Sequence, residues 1–344
     1  MTARKLVIVG AGKRVVETAL PALARARGAI DLSGIFARAP REIEAAGARH
    51  AVRPLANLAP EAFAGTDLVY LAVGKANVPA ALRSLARFDL SRVDLLIETP
   101  VLLLKHYRHI SLLRRFRDVW VSEDCSELPW LDTVRGYVGS GALGEVRSAV
   151  FDRSAYAYHG VALAKALLDR DRVASGRRVN LARPIAHRTL RLTNDRRALV
   201  IEPRDYAVGR FVLLGTKGSL SDAPIDGGAG ALLEAMAEGE RCLGFRIGPL
   251  ETRLDDDEAA LAAGDPPRAS ATARMAAMKR VGFLRLLRRI AAGRGAYPLE
   301  QALEDMVVDY ALEKVGIWVS TPFTNIRSAP ARFLYGAMSR LARR

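Results

Sequence analysis

Two glycines suggest the first chemistry in this chain. Gly10 and Gly12, in "VIVGAGKRV", follow an apolar strand-like run and precede a helical one. Such a turn lets the backbone close tightly and sets a helix N-terminus against a pyrophosphate, as in a dinucleotide site. Val15 holds the third glycine position of the pattern, which affects helix packing and leaves the phosphate contact intact. Lys13 and Arg14, at the start of the helix, join the candidate contacts. The end of the next strand chooses between nucleotides. An NAD site places Asp or Glu there for the ribose 2′-hydroxyl, whereas this chain has Ala37 and Arg38, followed by Arg41. Arginine without the acid suits the 2′-phosphate of NADP, with NAD the weaker fit; the plainer alternative is a solvated arginine in an arginine-rich chain. The missing acid also argues against S-adenosylmethionine.

Other polar clusters carry less. His106 and His109, three apart on a helical stretch, could share a metal, but no carboxylate at ligand spacing joins them, so no metal site is expected. The run Asp255-Asp256-Asp257-Glu258 reads as a solvated loop before a helix. Covalent hydrolysis has neither a Gly-x-Ser-x-Gly elbow nor a Cys/His pairing to support it.

The elements that must position these residues alternate to about residue 145. Apolar strands are expected at 5–9, 31–38, 66–73, 93–99 and 119–123, with helices after the Gly-rich turn, at 40–50, at 78–88 and at 102–117. Continuous apolar strands spaced by amphipathic helices indicate a doubly wound parallel sheet covered on both faces. From Glu145 the pattern changes to successive strands, "EVRSAVFDRS", "HRTLRLTND", "ALVIEPR" and "RFVLLGTKGSLSD", which suggest a large, open, mostly antiparallel sheet. A helix at 159–169 interrupts them, and a long one is expected over 299–318. The expected plan is α/β throughout: a dinucleotide-binding domain over 1–145, a second α/β domain over 146–320, and a basic tail over 321–344.

Composition narrows the class. At 344 residues, half of them apolar, the chain suits two globular domains. The N-terminus runs into a strand without a signal-like segment, and Cys125 and Cys242 are too far apart to suggest a disulfide framework; the reading is cytoplasmic. The net charge of +15 lies almost wholly in residues 266–299 and 314–344, which contain no acid. Each has an amphipathic segment, 278–295 and 331–344, of a kind that can lie on an anionic membrane or hold an acidic partner, although charge runs more often form solvated faces. No aromatic-studded basic strand accompanies the charge, so nucleic acid is not an expected partner.

Together, "VIVGAGKRV", "DLVYLAV", "IETP", "SEDCSELPWLDTVRGYVGSGALGEV" and "FVLLGTKGSLSD" resemble the glucose–fructose oxidoreductase / inositol dehydrogenase (Gfo/Idh/MocA) family. The resemblance extends to about Trp318. It implies a Rossmann domain followed by an open-sheet α/β domain, NAD(P)-dependent hydride transfer, and homo-oligomers built through the exposed face of the large sheet. Contacts to the cofactor would come from Gly10, Gly12, Lys13, Arg14, Arg38, the loop containing Val73, Gly74 and Asn77, and Glu98 and Pro100. The family's Glu-Lys-Pro falls on Glu98-Thr99-Pro100, with a cis bond implied before Pro100. Its Asp-x-Gly-x-His falls on Ala155-Tyr156-Ala157-Tyr158-His159. The usual proton-carrying lysine is therefore absent.

Transferring a hydride to carbon bonded to oxygen needs a group that exchanges a proton with that oxygen near working pH. The Thr99 hydroxyl orients an oxygen but cannot titrate there. His159 can, flanked by Tyr156 and Tyr158; a helix-start histidine with no catalytic part is the plainer alternative. Lys75 and Lys105, beyond nearby strand ends, could stand in but read first as surface residues. The expected function is NADP(H)-dependent reduction of a carbonyl or imine of a small molecule in a specialised biosynthetic pathway. The rivals are a nucleotide-binding scaffold or regulator, and a redox-neutral isomerase, lyase or cyclase.

Overall fold

The computed structural model describes residues 3–155, 157–168, 172–225, 230–263 and 270–341. The chain divides into two compact units. The first contains Met1–Asp124, Phe283–Met306 and Asn325–Arg344, and the second Cys125–Gly282 and Val307–Thr324. Two late segments thus return to the first unit, where the sequence reading places one boundary at 145.

Seven strands of the first unit are β1 (Arg4–Val9), β2 (Ile30–Ala37), β3 (Arg41–Ala45), β4 (Ala48–Pro54), β5 (Leu68–Leu71), β6 (Asp94–Glu98) and β7 (Val119–Ser122). With the short strand Tyr297–Pro298 they form one sheet in the order Tyr297–Pro298, β7, β6, β5, β1, β2, β4, β3. Pairing is parallel from β7 to β4 and antiparallel at both edges. Leu6–Val9, Leu68–Leu71 and Leu95–Ile97 are almost wholly buried, as a sheet covered on both faces requires. The strand order reverses beside β1, and ligands of such sheets bind at the carboxyl ends near that reversal.

The expected helix over 40–50 is instead the β3–β4 hairpin. Its "EIEAAGARH" segment is rich in helix formers, but Ala46 and Gly47 both take positive φ (53° and 72°), the geometry of a two-residue hairpin turn that matches strand twist. Parallel pairing of β4 with β2 overrides the local propensity. The Gly-rich turn leads into a helix over 13–25 that is π-wound at Val15–Ala19 and regular at Leu20–Arg25.

In the second unit β8 (Val146–Asp152), β9 (Val173–Ala182), β10 (Ile185–Leu192), β11 (Arg197–Glu202), β12 (Arg210–Gly215), β13 (Ser219–Ser221) and β14 (Ala231–Leu232) form an open sheet with Ile317–Val319. The order is β14, β13, β12, β8, β11, β10, β9, Ile317–Val319. Only β8–β11 and β13–β14 pair in parallel; the rest is antiparallel, as expected. Strand β9, polar along much of its length, is absent from the sequence reading. A smaller antiparallel sheet holds β15 (Glu234–Glu238), β16 (Arg241–Ile247) and β17 (Leu250–Arg253). On the covered face, buried Arg188 bonds Glu202 (3.0 Å), Asp309 (2.6 Å) and Glu313 (2.9 Å). Asp255 and Glu258 form a capping box for helix Asp256–Leu261, so that acidic run is partly structural.

The two basic segments differ. In helix Met275–Ala291 the apolar residues Met278, Val281, Phe283, Leu284, Leu287 and Ile290 are buried. That side is core, which removes the segment as a membrane-lying surface. Helix Ala329–Leu341 buries Ala331 and Tyr335, the latter edge-on to Tyr107 at 5.7 Å, and leaves Phe333 and Leu341 exposed. Among the described residues no helix is long and apolar enough to cross a membrane. Cys125 and Cys242 are buried, and neither is in a disulfide.

Candidate functional site

A groove of about 480 Å³ runs over the carboxyl ends of β1, β2 and β5. Gly10, Gly12, Arg38, Val73, Gly74 and Asn77 line it, together with Arg41. Gly10 takes φ +125°, and a Cβ there would sit 2.0 Å from the Ala72 carbonyl oxygen. Only glycine allows β1 to turn this close to the end of β5. Gly12 has nothing within 4 Å of its notional Cβ, so its smallness leaves space in the groove. The Val15 and Val16 N–H groups bond the Gly12 carbonyl, and the Lys13 and Arg14 N–H groups that precede them are of the kind a phosphate at a helix N-terminus accepts from. Arg38 is exposed at the end of β2, and Arg41 donates through Nη2 to the Ala11 carbonyl. This second arginine is thereby tied to the Gly-rich turn. The glycine cradle and the helix start fit a dinucleotide.

Lys13 is exposed and 3.6 Å from Glu17. Arg14 is placed differently. Its Nε donates to Glu98 Oε1 at 3.0 Å, while Nη2 lies 2.8 Å from Asp124 Oδ2 and 3.4 Å from Ser122 Oγ. The Tyr70 hydroxyl donates to the same Glu98 oxygen at 2.6 Å. Phe283 packs against this pair, 5.4 Å from the Arg14 guanidinium and tilted 53° to the Tyr70 ring at 5.1 Å. A buried polar network therefore closes the ends of β5, β6 and β7.

The electrostatics follow from burial set against pairing. Burial pushes the Glu98 carboxyl up, but Arg14, the Tyr70 hydroxyl and Lys75 outweigh it and hold it below the usual range. Burial and then the Glu98 charge push the Tyr70 phenol well above its ordinary value, so it remains a donor. Burial disfavours the Arg14 charge, yet Asp124 and Glu98 more than restore it. Lys75, expected at the surface, is half-buried. Burial lowers its amine to about 8, with Glu98 pulling upward and Arg14 downward.

Thr99 is buried, and the Thr99–Pro100 bond is cis. In the second unit, Tyr158 and His159 lie in the first turn of helix Ala157–Leu167. The Tyr158 hydroxyl is 3.1 Å from His159 Nε2, with the rings 4.3 Å apart. Tyr156 lies outside the described residues. His106 and His109 have ring centroids 6.3 Å apart. Burial and then neighbouring cations lower the pKa of His106, Lys105 and Arg83 for that ring. Lys105 is exposed. Sequence reasoning missed Tyr70, Ser122, Asp124 and the buried setting of Lys75. One signal was available: a tyrosine in a fully buried parallel strand must find a partner for its hydroxyl.

Comparison with models of known protein families finds no match, and comparison with curated proteins finds none. Solved structures do match over nearly the whole chain. An oxidoreductase from Thermotoga maritima shares 15% identity at a TM-score of 0.62, covering 92% of this chain and 98% of its own. Scyllo-inositol dehydrogenase from Lactobacillus casei, with bound cofactor NAD(H) and scyllo-inositol, shares 14% at 0.60 over 92% and 99%. Aldose-aldose oxidoreductase from Caulobacter crescentus, complexed with glycerol, shares 14% at 0.61 over 92% and 100%. At these identities the likeness establishes the fold.

Proposed function

We propose that this chain, which has the fold of the Gfo/Idh/MocA oxidoreductases, is itself an oxidoreductase using NADP(H) to reduce a carbonyl or imine of a small molecule, in a specialised biosynthetic pathway. The observation that carries the reading is the glycine-lined groove with two arginines and no acid at the end of β2. A bound nicotinamide would supply the hydride. The chain's own part is to hold the dinucleotide through the Gly10 turn, pair Arg38 and Arg41 with the 2′-phosphate, and orient the reacting oxygen with Thr99. Two titratable groups are candidates for the proton carrier: His159, whose Nε2 lies 3.1 Å from the Tyr158 hydroxyl, and Lys75, beyond the end of β5. The same reading assigns the open face of the large sheet, where Val179, Leu181, Ile185, Ile317 and Val319 are exposed, to a second copy of the chain.

Titration with NADPH and NADH, followed by nicotinamide fluorescence, tests the cofactor. NADPH should bind more tightly. Arg38→Ala should weaken NADPH by roughly 10- to 100-fold, the worth of a charge-assisted contact, and leave NADH unchanged. Failure to bind either nucleotide would overturn the redox reading, and tighter NADH binding would overturn the NADP assignment.

A further inference from the structure

The amine missing at position 99 has a counterpart one strand away. Lys75 opens the turn Lys75–Asn77 that follows β5. Strand β5 runs parallel to β6 with Leu71 opposite Ile97, so the end carrying Lys75 lies beside the end carrying Glu98. Gly74 and Asn77 of the same turn line the groove, while Lys75 lies outside that lining and in the field of Glu98 and Arg14. The Lys75 side chain is half-buried, and among the described residues its ammonium has no hydrogen bond or ion pair. An amine drawn out of water without a fixed partner is destabilising unless it is put to use.

We propose that Lys75 is the proton carrier of this site, acting on the oxygen or nitrogen of a carbonyl or imine held at the end of the groove. The inference rests on the redox reading above and replaces His159 in that role. In the reductive direction, a bound reduced nicotinamide would supply the hydride to the substrate carbon. The π pair moves onto the oxygen, and Lys75 Nζ gives that oxygen its proton. Water then reprotonates the neutral amine, leaving an alcohol and an oxidised nicotinamide.

The charged groups facing Lys75 suit this task. The Glu98 carboxylate favours the ammonium, Arg14 and burial oppose it, and the balance near 8 leaves the amine protonated at neutral pH yet able to part with its proton. Arg14 cannot exchange a proton in this range. Tyr70 is committed to Glu98.

Competitive labelling of the apo-protein with acetic anhydride across pH 6–11, read lysine by lysine by mass spectrometry, tests the amine without any substrate. Lys75 should titrate near 8. Glu98→Gln should move the Lys75 midpoint lower still. A Lys75 midpoint above 10 would overturn the proposal. A second arm follows NADPH oxidation against a panel of simple aldehydes, ketones and cyclic imines. Wild-type turnover should fall above pH 8. Lys75→Arg should bind NADPH as wild type does and lose at least 100-fold in turnover, while His159→Ala keeps the fall above pH 8. A fall near pH 8 that survives in Lys75→Arg, or undiminished turnover there, would overturn the proposal. If the wild type binds no nucleotide, the redox reading fails on its own, independently of the labelling result.

Discussion

Among the described residues Arg14 is the cation that pairs with both Glu98 and Asp124, and the effect of Arg14→Met can be worked from the geometry. The two carboxylates are 14% and 2% exposed and the arginine 25%. Removing one partner of a buried pair costs roughly 3–5 kcal/mol. The partial exposure of Arg14, together with the Tyr70 bond that Glu98 keeps, points to the lower end, about 3 kcal/mol. For a unit of this size that corresponds to a fall in Tm of roughly 6–12 °C at pH 7. The pH dependence carries the sharper test. In the wild type the Glu98 carboxyl is held below its usual range, so its contribution is present above the unfolded value of about 4.3 and is lost as pH falls through the lower folded value. Without Arg14, burial becomes the dominant influence and raises the carboxyl above its unfolded value. Acidification from pH 7 toward pH 5 then favours the folded variant, and the gap to wild type narrows. Thermal melts at pH 5, 6 and 7, with Glu98→Gln and the double variant completing a cycle, measure both effects. A fall of less than about 3 °C at pH 7, or a gap that widens on acidification, would refute the account of the network.

Two glycines in the same turn should behave oppositely. Gly10→Ala, with its Cβ driven against the Ala72 carbonyl, should lose more than about 3 kcal/mol or fail to accumulate as folded protein. Gly12→Ala, with open space around it, should melt within about 0.5 kcal/mol of wild type and lose NADPH affinity; melting curves paired with the fluorescence titration separate the two. In the second unit, Arg188→Leu takes the nearest cation from Asp309, Glu202 and Glu313, leaving Arg178 beside the last two at 3.8 and 3.5 Å, and should cost about 3 kcal/mol, the lower end for a broken buried pair. Chemical denaturation would measure this, and a loss under about 1 kcal/mol would mean the acids find other partners.

The legible parts of the fold were those set by burial on a local scale. Leu68 to Leu71 reads as a strand because a short run buried on both sides suits a sheet covered on both faces. The Gly10 turn was legible because the backbone conformation there admits no other residue. The β3–β4 hairpin was not, since its residues are helix formers and its pairing is made with β2, outside the local window. The return of Phe283–Met306 and Asn325–Arg344 to the first unit is a long-range event that no periodicity encodes. The network was missed because Arg14 follows the Gly-rich turn and was taken for a phosphate contact. Its partners lie 84 and 110 positions away in sequence, and Tyr70 passes for one more apolar residue in "TDLVYLAV". Lys75 looks like any surface lysine until the packing at the end of β5 is known.

The Arg14–Glu98 bond also governs how this chain could regain a lysine at position 99. That residue would arrive beside a carboxylate already bonded by a guanidinium and already in the field of Lys75, adding a third cation to a pocket of two carboxylates. Thr99→Lys alone is therefore expected to be a step downhill in stability on this background. Arg14, Lys75 and Thr99 form one electrostatic set around Glu98, and a lysine placed at 99 has to come with changes at the other two positions.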